Sequence, residues 1–215
     1  ALRYGRSLRR HVRQWELRIR IIQAQTRSRA QSIFGLLRLP ILDSSMICYF
    51  SGTGNTRLVA EALGALLDDA ITPITTAPSV IEDATLGLVF PIYAWGMPKI
   101  FAKWLEGVII SAQVSYIYMV CTCGDDIGCT DKTLRKSLLV HHQRSLQAAF
   151  SLRMPNTYVS LPGFDVDSEA LAEQKLAVAR EELKVIAEHI RLRHQIVQVV
   201  PGRFPRLKTD RKSVV

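Results

Sequence analysis

From residue 46 onward, short apolar runs alternate with stretches in which apolar residues recur every three or four positions. Met46 to Phe50 is an unbroken apolar run and predicts a short buried strand. A helix is predicted from about Thr56 to Leu67, with Leu58, Val59, Ala62, Leu63 and Leu66 on one face. Ile71 to Thr75 reads as a second strand and Leu86 to Pro91 as a third, ended by its proline. Met97 to Gly107 reads as a helix with Ile100, Phe101, Trp104 and Leu105 clustered. Val114 to Cys121, rich in β-branched and aromatic residues, predicts a fourth strand. A helix from about Asp131 to His142 and a fifth strand near Leu146 to Met154 follow. Beyond a loop from Pro155 to Gly163, a long helix is expected from Ser168 to about Arg193, with Asp167 or Ser168 as its N-cap.

Strands alternating with helices at this spacing make parallel βαβ units. The expected fold class is α/β: a doubly wound, five-stranded parallel sheet in the order 2-1-3-4-5, with helices on both faces. In such sheets ligands bind beyond the carboxyl ends of the strands, where the strand order reverses. Several segments of this chain leave strand ends with unusual loop chemistry, and they are expected to meet on one edge of the fold.

Charge changes the picture mainly at the ends. The chain has 215 residues and a formal net charge of +9. Residues 1–45 hold ten arginines against one glutamate and one aspartate, which leaves residues 46–215 at +1. The basicity belongs to a short leader, which argues against nucleic-acid binding by the folded body. The expected organisation is a non-native or disordered leader over 1–45, a ligand-binding domain over 46–195, and a truncated linker over 196–215. Met46 is then the natural start. The alternative for the leader is a native basic helix, since Leu17, Ile21 and Ala24 have helical spacing. Asp210 to Val215 reads as translated sequencing adapter, so the natural protein is expected to continue past Thr209. No apolar run approaches the roughly 20 residues of a membrane span, so no integral membrane segment is expected. The four cysteines form no C-x-x-C pair, and the reducing cytoplasm is the expected setting.

Ser51, Gly52, Thr53, Gly54, Asn55 and Thr56 lie between the first strand and the first helix. Glycines let the backbone turn tightly and point several N–H groups inward. The helix N-terminus adds partial positive charge, and the hydroxyls and the Asn55 amide supply further donors. Such a loop can hold a dianionic phosphate without a buried lysine. Gly54 is followed by Asn55 and not by the Lys of a P-loop, and the third glycine of a dinucleotide fingerprint is missing. A ligand-free βα turn is the bland alternative. Tyr49 to Thr56 resembles the phosphate-binding signature of flavodoxins. That resemblance implies a flavodoxin-like fold in which Ser51 to Thr56 wrap the phosphate of flavin mononucleotide (FMN).

The second segment is Pro91, Ile92, Tyr93, Ala94, Trp95, Gly96, Met97 and Pro98. Its aromatic pair can cover a flat ring, while small Ala94 and Gly96 let backbone groups approach the ring's polar edge. The third segment, Cys121, Thr122, Cys123, Gly124, Asp125, Asp126, Ile127 and Gly128, follows the fourth strand. Flavodoxins flank the flavin ring with the corresponding loop. Asp125 and Asp126 would place negative charge beside the reduced ring and lower its midpoint potential, or would simply complement a helix N-terminus. Cys121 and Cys123 form a C-x-C, which reads better as buried small hydrophobes than as a metal or redox site. No catalytic side chain and no metal ligand is assigned.

The motifs Phe90 to Pro98, Cys121 to Asp126, Met154-Pro155-Asn156-Thr157-Tyr158 and Pro162-Gly163-Phe164-Asp165 together resemble the EFR-type ferredoxin family, over about Met46 to Thr209. The resemblance implies a bacterial or archaeal redox protein in which a flavodoxin-like domain precedes a module with two [4Fe–4S] clusters. It also implies that Met154 to Tyr158 lies near the flavin. This chain carries no Cys-x-x-Cys-x-x-Cys run, so the clusters belong to a missing C-terminal module or a ferredoxin-type partner, and Arg203 to Lys208 resembles the linker to it. The expected function is an FMN electron carrier exchanging electrons with iron–sulfur clusters. The alternatives are an NAD(P)H-dependent oxidoreductase acting on a quinone or other small acceptor, and an interaction domain that has lost its flavin.

Overall fold

Burial on both faces of the central strands explains why their sequences run apolar without alternation. In the computed structural model, which describes residues 44–156 and 166–203, β1 (Ser45–Tyr49), β2 (Ala70–Pro73), β4 (Thr85–Pro91), β6 (Tyr116–Cys123) and β7 (Ala148–Arg153) stand in the order β2-β1-β4-β6-β7. All their pairings are parallel. This is the doubly wound order expected of the long strands. Among the described residues the sheet has six strands, however, because β8 (Val197–Gln198) adds to β7 in parallel. Val80–Ile81 (β3) and Ile109–Ile110 (β5) form a separate two-stranded parallel pair. Strands of two residues carry no periodicity, so the pattern could not announce them. The sheet thus continues past residue 195, the expected end of the domain.

Among the described residues, four helices cover the sheet. Here α1 spans Asn55–Leu67, α2 Lys99–Gly107, α3 Thr130–His142 and α4 Glu169–Arg191. Ile47, Val89, Tyr118, Val120 and Phe150 pack against Leu58, Val59 and Leu63 of α1 and Leu176, Leu183 and Ile190 of α4. Cys48, Leu88, Phe90, Met119 and Cys121 pack on the opposite face against Phe101 and Leu105 of α2 and Leu134 and Leu138 of α3. Neighbouring residues of one strand thus serve different cores, as the period of two requires.

Gly87 shows how tightly the α1/α4 face is filled. Tyr118 lies opposite it on β6, and a β-carbon on Gly87 would overlap the Tyr118 hydroxyl and lie 2.6 Å from its Cζ. The tyrosine ring takes the volume that the glycine leaves empty.

Element boundaries moved where local chemistry overrode the pattern. The helix expected from Met97 begins at Lys99, because Pro98 holds the extended N-cap and restricts the residue before it. The strand expected over Val114 to Cys121 runs from Tyr116 to Cys123, because β4 and β7 offer pairing partners as far as Pro91 and Arg153. Ser168 caps α4, its hydroxyl accepting the Leu171 N–H at 3.3 Å, while the neighbouring Asp167 has other partners. Expectations that fall on 1–43, 157–165 and 204–215 lie outside the described residues. They include the leader, Thr157, Tyr158, Pro162 to Asp165 and the adapter-like tail.

Candidate functional site

The carboxyl ends of β1, β4, β6 and β7 bring the predicted loops to one edge. The first loop leaves β1 at Phe50 and turns at Gly54, whose φ of 105° is left-handed. Ser51 Oγ accepts the Gly54 N–H at 3.2 Å, which leaves its own hydroxyl proton to donate outward. Helix α1 then begins with no side-chain cap and no acidic residue in its first turn. An uncapped N-terminus presents unpaired N–H groups and the positive end of the helix dipole. Gly52 and Thr53 are exposed, whereas Thr56 is buried. Thr56 Oγ1 meets Thr122 Oγ1 at 2.7 Å, joining the base of this loop to the end of β6. The donor set fits a phosphomonoester: main-chain amides, hydroxyls and a helix dipole around glycines, with no acidic residue in the first helical turn to repel it.

The second loop is a tight reversal. Tyr93 and Gly96 exchange both backbone hydrogen bonds at 3.0 Å, and the central Ala94 and Trp95 have φ of 45° and 60°. Two left-handed residues in sequence are the signature of a type I′ turn, usually made by Asn and Gly. For side chains with a β-carbon this backbone costs roughly 1–2 kcal/mol per residue. The single hydroxyl proton of Thr130, fully buried at the start of α3, is shared between the Ile127 carbonyl at 2.7 Å and the Trp95 carbonyl at 3.0 Å. Helix α3 therefore helps to hold the strained turn. The Tyr93 ring meets Phe50 edge-on, with centroids 6.4 Å apart, and its hydroxyl lies against Gly52. Burial pushes the Tyr93 phenol above its usual value.

The third loop starts later than expected, because Thr122 and Cys123 are still in β6. Their side chains go to opposite faces: Thr122 to Thr56, and Cys123 to the Leu152 carbonyl at 3.7 Å. Cys121 likewise donates to the Phe150 carbonyl at 3.4 Å. All four cysteines are unbridged; Cys48, Cys121 and Cys123 are buried, as expected of small hydrophobes. Burial drives the Cys48 and Cys123 thiols up to about 12. Among the described residues no group of three or more His, Cys, Asp or Glu is arranged to hold a metal ion. Gly124 and exposed Asp125 form the loop itself, and Asp126 Oδ1 accepts the Gly128 N–H at 3.3 Å. Residues 199–202 run alongside: Ile127 N–H donates to the Val200 carbonyl at 2.9 Å, and a β-carbon on Gly202 would overlap the Asp126 carboxylate.

Pattern reasoning missed the contribution of the next loop, which the family resemblance alone placed here. The Asn55 amide donates to the Pro155 carbonyl at 3.0 Å, and Met154 N–H to the Cys123 carbonyl at 2.8 Å. Asn156 N–H donates to Asp167 at 2.8 Å. Asp167 also pairs at 2.7 Å with Lys175 of α4, whose ammonium reaches the Gly124 carbonyl at 3.4 Å. Pro155, Asp167, Lys175 and Thr130 thus bind the loops into one rim. No spacing signal connects residues about a hundred positions apart.

No family model matches the chain, and no curated protein matches it. Solved structures of similar arrangement include a flavodoxin of Streptococcus pneumonia TIGR4, at 17% identity over 66% of this chain and 98% of that one, with a TM-score of 0.41. The NAD(P)H:quinone oxidoreductase of Methanothermobacter marburgensis is 12% identical over 66% and 95%, with a TM-score of 0.38. The rubredoxin oxygen:oxidoreductase of Desulfovibrio gigas is 15% identical over 69% of this chain and 36% of that one, with a TM-score of 0.39. At these identities the chemistry must be argued from the residues of this chain. No helix of the described residues is long and apolar enough to cross a membrane.

Proposed function

We propose that this chain binds FMN non-covalently and uses it to carry electrons, exchanging them with iron–sulfur clusters of a following module or a ferredoxin-type partner. The observation that carries the reading is the uncapped, acid-free start of α1 behind a glycine turn, at the same sheet edge as the Tyr93–Gly96 turn and the Gly124–Asp126 loop. Residues 51–56 would hold the phosphate through main-chain amides and hydroxyls. The turn carrying Ala94, Trp95 and Gly96 and the loop carrying Gly124, Asp125 and Asp126 would border the ring, with Thr122 and Cys123 beneath. Pro91 and Ile92 lead into that border, the Ile92 N–H donating to the Thr122 carbonyl at 2.8 Å. FMN supplies one- and two-electron redox chemistry; the protein supplies binding, orientation and potential.

The test is calorimetric titration of the purified chain with FMN, after any bound flavin has been stripped. The expected outcome is stoichiometric association with return of the flavin's visible bands; absence of association removes the reading. Reoxidation of the reduced, FMN-loaded chain by a two-cluster ferredoxin, without steady-state consumption of NAD(P)H, is the expected partner behaviour. Sustained NAD(P)H oxidation with a quinone would favour an oxidoreductase instead.

A further inference from the structure

We propose that Tyr93 serves the phosphate end of the cofactor and not its ring: the phenol donates a hydrogen bond to the phosphomonoester held by residues 51–56. The inference rests on the FMN reading above and reassigns one residue within it.

Tyr93 begins the Ala94–Trp95 turn and is held there by its two backbone bonds to Gly96. Its ring stands edge-on to Phe50, the residue that leads into the phosphate loop, at an interplanar angle of 84°. That contact aims the hydroxyl at Gly52. A β-carbon on Gly52 would overlap the hydroxyl oxygen yet would stand 3.5 Å from Cζ, so it is the oxygen alone that a side chain at residue 52 would displace. The hydroxyl has no hydrogen-bond partner among the described residues. Tyr93 is 42% exposed, so its unspent donor stands at the same open edge as the loop and is placed to bond an anion that occupies it. A phenol is protonated, and so a donor, across the neutral range in any case, and partial burial raises its pKa further.

A hydrogen bond to a charged phosphate is worth roughly 10- to 100-fold in affinity. Riboflavin, which has the ring and no phosphate, separates this role from ring contact. FMN and riboflavin are titrated into the stripped full chain, into Tyr93→Phe and Gly52→Ala, and into the double variant. Tyr93→Phe is expected to weaken FMN by roughly 10- to 100-fold and to leave riboflavin unchanged. Gly52→Ala is expected to weaken FMN by displacing the hydroxyl. In the Tyr93→Phe background it should add little, since the ring carbon leaves room for the new methyl. Equal weakening of FMN and riboflavin by Tyr93→Phe, or no weakening of FMN, overturns the assignment while the FMN reading stands. Failure of the unaltered chain to prefer FMN over riboflavin overturns the phosphate loop itself.

Discussion

Two aspartates carry the charge of the third loop, in different settings. Asp125 is exposed, so solvent and salt screen its carboxylate. Asp126 is half-buried, accepts the Gly128 N–H and is packed against Gly202. With FMN bound, Asp126→Asn is expected to raise the midpoint potential by tens of millivolts, and Asp125→Asn by less, in spectroelectrochemical titration. An unchanged potential in the double variant would leave the pair as helix N-terminal residues only. The thiols allow a second test at this scale. Burial disfavours the thiolate at Cys48, Cys121 and Cys123 by desolvation; Asp83 adds to this at Cys48, while Arg153 partly opposes it at Cys123. Since the thiolate is the nucleophile, a native sample at pH 8 should be alkylated at the half-buried Cys129 well before the other three. Peptide mass mapping reads the order, and the difference should vanish in denaturant.

At the scale of elements, the contrast between α1 and α4 is informative. Ser168 caps α4 and Glu169 stands in its first turn, so that helix end is satisfied by its own sequence. Helix α1 has neither device, and its start faces an exposed loop. Ser168→Ala is therefore expected to cost about 1 kcal/mol of stability in urea unfolding. It should leave FMN affinity nearly unchanged, because the rim contacts from this region come from Asp167 and Lys175. A loss of FMN affinity larger than the stability loss would mean that the cap also positions the rim. The Ala94–Trp95 turn is the opposite case. Its strain is held by Thr130 and by the paired Tyr93–Gly96 backbone bonds, which rank above local preference here.

At the scale of the molecule, the two faces of the sheet are closed separately, and one closing contact titrates. His142, at the end of α3, bonds the Leu105 carbonyl of α2 at 2.6 Å. Burial pulls its pKa below 6.5; the charge of His141 adds to that, and the Leu105 carbonyl partly opposes it. The folded state then binds fewer protons than the unfolded chain just below 6.5. This contribution is fully present above the unfolded value and is lost as pH falls toward the lower folded one. The urea midpoint should fall from about pH 7 to about pH 5, and His142→Gln should flatten part of that slope. A slope identical in the variant would assign it to other groups.

Most of this architecture was legible in the chain. Met46 to Phe50, Leu86 to Pro91 and the repeating Leu58, Val59, Ala62 and Leu63 are runs whose period alone dictates strand or helix, because burial on one or both faces demands it. The loop composition after the first strand pointed to an anion for the same local reason: glycines and hydroxyls next to a helix start aim donors at one place. Tertiary structure decided what local pattern cannot encode. It extended β6 to Cys123 through its neighbours, recruited Val197–Gln198 as an edge strand, and set the Tyr93 ring edge-on to Phe50. It also tied Asn55, Pro155, Asp167, Lys175 and Gly124 into one rim. These are contacts between distant positions, set by which strands lie side by side and by where a side chain finds its partner. The order of apolar and polar residues determined the elements, because burial acts on local period; packing determined which loops share one edge, because it acts between distant positions.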